Sequence, residues 1–240
     1  MVDNDIATNR MRGNKSYARR IGRSLTTYQR QLADTVLSEL DALYHLNNCK
    51  TFGKLALEIG FGNGSNLLKL AQTHKDVTFI GCEPFINGVA KLLKQIVEEG
   101  IKNIRIHADD IKILLAKIKR KKIFEDIYIL FPDPWPKKRH DKRRLITQEF
   151  IELLISFLKD NGQISVATDD KGYASWIKKE LGKSESSVTV EYKLVENSTI
   201  ACGESSIICG KFFMTKYAKR GISNGQDIHV FFIRKLRCSD

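Results

Sequence analysis

The chain has 240 residues, 42% hydrophobic and 28% charged, which suits a soluble globular protein of one or two domains with a full core. Its 40 Lys+Arg against 28 Asp+Glu leave a net charge of +12, favouring a polyanionic partner, nucleic acid or an anionic membrane surface, over a basic substrate. The longest apolar run, Ile127–Phe131, is too short to span a bilayer, the first thirty residues have no apolar signal core, and five cysteines without a C-x-x-C pair assemble no zinc spacing.

Arg10, Arg12, Lys15, Arg19, Arg20, Arg23 and Arg30, preceded by Asp3 and Asp5, make residues 1–30 a basic N-terminal arm; residues 31–240 then form one domain. Leu32, Val36, Leu37, Leu40, Leu43 and Tyr44 recur at helical spacing and predict a single amphipathic helix over Thr26–Leu46. From Lys54 onward strand-like and helical runs alternate. Strands are expected at Lys54–Ile59, Val77–Cys82, Asn103–Ala108, Asp126–Phe131 and Gln163–Thr168. Helices are expected at Ser65–His74, Asn87–Glu99, Ile111–Ile118, Thr147–Leu158 and Ala174–Leu181, the second stopped by Gly100. Apolar strands separated by helices mean a parallel sheet with right-handed crossovers. Val188–Leu194 and Ile228–Ile233 read as an antiparallel pair closing the sheet's edge, and 195–227 receives no element.

The first strand ends in Glu58-Ile-Gly60-Phe-Gly62-Asn-Gly64, a glycine loop where doubly wound sheets bind ligands. A nicotinamide dinucleotide site wants G-x-G-x-x-G facing a pyrophosphate. Here the third glycine comes one residue early and Glu58 stands two residues before the first, so a phosphate would be repelled. A cationic ligand fits, and S-adenosylmethionine, with its sulfonium and ammonium, is one. Glu83 ends the second strand, where it can accept both ribose hydroxyls. Asp109 and Asp110 end the third, within reach of an adenine edge, although each acid alone is equally a helix cap or solvated turn. No metal site is expected. Reduced thiols suit a cytoplasmic protein.

The fourth strand runs into Phe131-Pro-Asp133-Pro-Trp135-Pro, holding three of the chain's four prolines, so the loop is rigid where an acceptor should lie. Asp133 is thereby framed beside an aromatic; Trp135 is either a stacking platform or a packed anchor. Lys137 to Arg144 follow with six basic residues and one acid, a run suited to phosphate anchoring.

Glu58-Ile-Gly-Phe-Gly62, Phe-Pro-Asp133-Pro-Trp-Pro-Lys137-Lys-Arg-His-Asp-Lys-Arg-Arg144 and Ala-Thr168-Asp169 together resemble the bacterial tRNA (guanine-N7-)-methyltransferases. The resemblance extends to Arg19-Arg-Ile-Gly-Arg-Ser-Leu-Thr and Thr215-Lys-Tyr-Ala-Lys-Arg-Gly221, about residues 17–235 in all. It implies an α/β, Rossmann-like class I methyltransferase fold with a mostly parallel seven-stranded sheet, helices on both faces and an antiparallel C-terminal edge pair. It also implies methylation of a guanine at N7 in the tRNA variable loop, with S-adenosylmethionine as donor and tRNA as partner. Asp133 is then the catalytic candidate. Glu58, Gly60, Gly62, Glu83, Asp109, Asp110 and Asp133 are carried over as cofactor-binding, and Lys137, Asp169 and Thr215 as substrate-binding. One departure stands out: the family usually reads Thr-Lys-Phe/Tyr-Glu where this chain has Ala218 last.

An adenine amino-group methyltransferase is the alternative enzyme, set apart by its Asn/Asp-Pro-Pro-aromatic motif. A non-catalytic RNA-binding module is the alternative class, opposed by the intact glycine loop and acids. Basic segments at both ends and around the loops would grip phosphates. A membrane loses support because no basic segment is paired with an exposed apolar helix face. Monomer and homodimer both remain open.

Overall fold

The computed structural model describes residues 17, 20, 22–183, 188–199 and 207–235. Arg10, Arg12, Lys15 and Arg19 of the arm, and Cys202 and Cys238, lie outside them. In chain order the elements are α1 (Thr27–Glu39), α2 (Ala42–Asn48), β1 (Lys54–Ile59), α3 (Ser65–Thr73), β2 (Val77–Cys82), α4 (Ile86–Glu98) and β3 (Ile104–His107). There follow α5 (Ile111–Lys117), β4 (Phe124–Leu130), a 3₁₀ turn (Lys138–Arg143), α6 (Gln148–Phe157), β5 (Leu158–Thr168) and α7 (Lys171–Leu181). The remainder is β6 (Val188–Val195), a short 3₁₀ turn (Asn197–Thr199), β7 (Ile207–Ile208), β8 (Phe212–Phe213), α8 (Lys216–Ser223) and β9 (Ile228–Lys235).

Seven strands form one sheet in the order β3-β2-β1-β4-β5-β9-β6. β1 to β5 pair in parallel, and β9 runs antiparallel to both β5 and β6. This is the mostly parallel α/β architecture expected, with β9 inserted between β5 and β6. The interior positions of β1, Leu55 to Ile59, are all buried, which explains why it reads as an apolar run interrupted only by Glu58. One apolar layer under α2, α5, α6 and α7 covers one face; another under α1, α3, α4, α8 and the β7–β8 hairpin covers the other. Strand order reverses between β1 and β4, opening a crevice at their carboxyl ends. Among the described residues no helix is long and apolar enough to cross a membrane.

Two expectations are corrected. The helix expected over Thr26–Leu46 is two helices. Thr26 and Gln29 cap the first reciprocally, and Asp41 starts the second by accepting from the Tyr44 amide. Between them the Leu40 carbonyl accepts from Ile106 N at 2.7 Å, so the junction fills part of the outer edge of β3. Hydrophobic periodicity continues through this break and cannot register it. The stretch 195–227 also holds structure: the two-stranded hairpin β7–β8 and α8, whose N-cap Thr215 accepts from Ala218 N at 3.0 Å. That helix has only eight residues, is polar on average with Lys216, Lys219 and Arg220, and contains Gly221, so it is too short to stand out in sequence despite its amphipathic pattern.

Candidate active site

The crevice holds a cavity of about 400 Å³. β1, β2 and β4 contribute their carboxyl-terminal loops to it, bringing Gly60, Gly62, Glu83 and Asp133 to one space, with Asp110 at the start of α5. The glycine loop turns sharply because Gly60, Gly62 and Gly64 all take positive φ, which glycine alone adopts without penalty. At Gly62 the turn aims the amide at Glu83, which accepts it at 2.7 Å and the Phe85 amide at 2.9 Å. Glu83 is thus clamped between two loops. Burial raises its carboxyl above the usual range, against the lowering effect of those two amides, and Asp133 across the cavity raises it further.

Glu58 lies beneath the loop rather than at the cavity wall. It is 2% exposed and accepts from Asn66 Nδ2 at 3.0 Å; Asn66 Oδ1 in turn accepts from Phe213 N at 2.8 Å. This relay ties the end of β1 through α3 to β8, and so places the segment leading into α8. Burial pushes the Glu58 carboxyl up to about 7, opposed by the Asn66 hydrogen bond and reinforced by Glu83. Asn66 carries no motif signature, and its role shows only in its hydrogen bond to Phe213, 147 residues away in the chain.

The two acids after β3 divide. Asp110 caps α5 by accepting from Lys112 N at 2.8 Å and lines the cavity. Asp109 is turned to the arm, where its carboxylate pairs with Arg20 at 2.8 Å. Ile86 N donates to Arg20 O, Gly22 N to Asn87 Oδ1 and Asn87 Nδ2 to Arg23 O, so the arm lies along the start of α4. Tyr17 from the same arm lines the cavity.

Asp133 is exposed and borders the cavity between Pro132 and Pro134. Phe131 and Trp135, on either side, have φ of 55° and 45°, left-handed conformations unusual for bulky residues and costing roughly 1–3 kcal/mol each. Arg144 holds them. Its Nε donates to Pro134 O at 3.0 Å, its Nη2 to Trp135 O at 3.3 Å, and its guanidinium pairs with Asp141 at 3.0 Å while stacking on Trp176. Arg144 is therefore an internal brace, not a phosphate anchor. Arg143 is also engaged, between the rings of Tyr17 at 5.0 Å and Trp135 at 4.8 Å, and His140 meets Trp135 edge-on at 5.5 Å. Lys137, Lys138, Arg139 and Lys142 remain exposed.

Lys137 is outside the cavity lining, as are Asp169 and Thr215. Thr215 is buried as the cap of α8. Asp169, whose carboxyl burial raises, packs against Gly221 so closely that a Cβ there would meet its side chain at 2.8 Å. These two residues therefore seat α8 on the end of β5. The residue α8 sends to the cavity is Tyr217, which lies inside the Thr215–Gly221 motif but received no role from the sequence. Among the described residues no group of His, Cys, Asp and Glu side chains could hold a metal ion.

The chain matches, over residues 53–231, the family model described as "Putative methyltransferase". It is 39% identical over 163 residues to the tRNA (guanine-N(7)-)-methyltransferase of Neorickettsia sennetsu, covering 68% of this chain and 72% of that protein. To the enzyme of the same name from Wolbachia pipientis wMel it is 36% identical over 178 residues, 74% of this chain and 73% of that one. A solved structure titled as an antibiotic-related methyltransferase superposes with a TM-score of 0.53 at 16% identity, covering 89% of this chain and 97% of that chain. At that identity the last comparison speaks for the fold alone.

Proposed function

The chain belongs to the bacterial tRNA (guanine-N7-)-methyltransferases, and from that premise we propose that it transfers a methyl group from S-adenosylmethionine to N7 of a guanine in the variable loop of tRNA. The observation that carries the reading is the meeting of the Glu83-clamped glycine loop and the rigid Pro-Asp133-Pro loop around one cavity at the sheet's switch point.

The residues fit the cofactor. Glu83 spends only part of its accepting capacity on the Gly62 and Phe85 amides, leaving lone pairs for ribose hydroxyls. Asp110 stands where an adenine edge would be met, and the carboxylates of Glu83 and Asp133 favour a cationic ligand over a phosphate. Glu58 supports this wall from below through Asn66, and Asp109 through Arg20. When bound, S-adenosylmethionine supplies an electrophilic methyl on a sulfonium.

Guanine N7 carries a free lone pair and no proton, so its attack needs no general base. The chain's task is alignment and field. Asp133 orients the guanine, and its negative charge stabilises the positive charge that grows on the purine as N7 is alkylated. The prolines, the strained flanks and Arg144 keep that carboxylate in place before the base arrives, so little reorganisation accompanies reaction. The guanine must leave its stack to present its Hoogsteen edge, at a cost of a few kcal/mol. Lys137, Lys138, Arg139 and Lys142 hold phosphates beside the cavity; Thr215 and Asp169 act through the seating of α8.

Incubating bulk tRNA with radiolabelled S-adenosylmethionine and digesting it to nucleosides tests the assignment. Label in 7-methylguanine is expected. Label in a methylated adenine, or no label, overturns it.

A further inference from the structure

We propose that Tyr217 is the ring on which the target guanine stacks after leaving its own stack, an inference that rests on the methyl-transfer reading above. An extruded purine needs a replacement face, and the rings lining the cavity are Tyr17, Phe85, Phe131, Trp135 and Tyr217. Four of them are engaged. Arg143 lies over both Tyr17 and Trp135, and His140 closes on Trp135 from its edge. Phe131 packs against the core, and Gly22 of the arm lies so close to the Phe85 ring that a Cβ there would meet it at 2.8 Å. Trp135, the platform suggested by its place in the motif, is thus a packed anchor. Tyr217 is 50% exposed, and no ring or cation among the described residues stacks on it.

Its placement suits the task. The ring edge lies against the glycine loop, 3.7 Å from where Gly62 would carry a Cβ, and Tyr217 lines the same cavity as Asp133 and Glu83. Burial, then those two carboxylates, push its phenol up, so the ring stays neutral at physiological pH. Tyr217 is the second residue of α8, whose start is fixed by the Thr215 cap and by the Asn66 tether on Phe213. A purine laid on this ring would have Asp133 at its side. Alkylation turns the guanine into a cation, which an aromatic face attracts more than the neutral base, so the stacking strengthens along the reaction. Loss of the ring should therefore slow the chemical step more than it weakens tRNA binding.

The experiment uses the full chain as wild type, Tyr217→Phe and Tyr217→Ala, after the methylated guanine has been mapped with wild type. A wild type that makes no 7-methylguanine refutes the methyl-transfer reading itself; the Tyr217 inference is judged on the variants. Single-turnover methyl transfer is measured alongside cofactor affinity by calorimetry, tRNA affinity by filter binding, and the fluorescence of a tRNA carrying 2-aminopurine in place of that guanine. Tyr217→Phe is expected to stay within about twofold of wild type. Tyr217→Ala should lose roughly five- to hundredfold in the transfer rate, the span of single base–aromatic stacks, with both affinities within about threefold. Bound 2-aminopurine should be brighter in Tyr217→Ala, which lacks the quenching ring. Four results overturn the proposal: an unimpaired Tyr217→Ala, a Tyr217→Phe as slow as Tyr217→Ala, a loss in Tyr217→Ala matched by an equal loss of cofactor affinity, or unchanged 2-aminopurine fluorescence.

Discussion

Glu58→Gln should make the protein more stable at neutral pH, and the gain should vanish in acid. Glu58 is 2% exposed with one side-chain hydrogen bond, and its carboxyl is pushed from 4.5 up to about 7. Between those values the native state keeps a proton that the unfolded chain has released. Stability from this group is therefore fully present below pH 4.5 and is lost as pH rises through about 7. At about 1.4 kcal/mol per pH unit, the loss amounts to about 3 kcal/mol. Glutamine is neutral throughout and its carbonyl can still accept from Asn66, so it avoids that loss. Urea unfolding of both proteins from pH 4.5 to 8 gives the test. The difference in unfolding free energy, variant minus wild type, should climb by about 3 kcal/mol across the range and level off above pH 7. A flat difference, or one that falls as pH rises, would show Glu58 ionised in the native state and refute the reasoning.

Asp133→Ala should abolish methyl transfer while leaving tRNA affinity nearly unchanged, as measured by single-turnover assay and filter binding; residual turnover near wild type removes its proposed role. Gly88→Ala would put a Cβ 2.1 Å from the Gly62 carbonyl oxygen, so the glycine loop must shift. Calorimetry should then show cofactor affinity reduced on the order of tenfold or more, whereas an unchanged affinity would mean that loop geometry is dispensable. Reversing the charge of Lys137, Lys138 and Arg139 should weaken tRNA binding and flatten its salt dependence by about 0.7–0.9 for each phosphate no longer neutralised. Arg144→Ala, by contrast, should destabilise the fold by about 2–3 kcal/mol and leave the salt slope alone; a flattened slope would return Arg144 to the phosphate-binding set.

The layered fold was legible because its central strands are buried on both faces and its helices carry one apolar stripe, patterns that survive in sequence alone. The cavity was legible too: glycine, proline and acid positions at strand ends are local signals, and Gly60, Gly62, Glu83, Asp110 and Asp133 line one space. What escaped notice depends on partners remote in the chain. Leu40 ends a helix because Ile106 uses its carbonyl, and Asn66 matters because Phe213, 147 residues away, needs an acceptor. Arg144 sits in a run of basic residues, and sequence has no means of separating a guanidinium turned inward from neighbours turned out. Tyr217 belongs to a helix of only eight residues, polar on average, too short a pattern to stand out.

The insertion of β9 between β5 and β6 also governs the order in which the molecule can be completed. β6 has no neighbour in the sheet until residues 228–235 exist, and β5 keeps one backbone edge unpaired until then. On the ribosome, a nascent chain that has reached β6 would hold the glycine and proline loops, yet expose the apolar β5 edge that Val230 and Phe231 later cover. Tyr217 and Thr215 lie in the segment directly before β9, within the turn-and-helix unit that leads into it. The cavity's final wall and the closure of the sheet therefore follow one another in chain order, and a chain interrupted before residue 228 should aggregate before it could methylate.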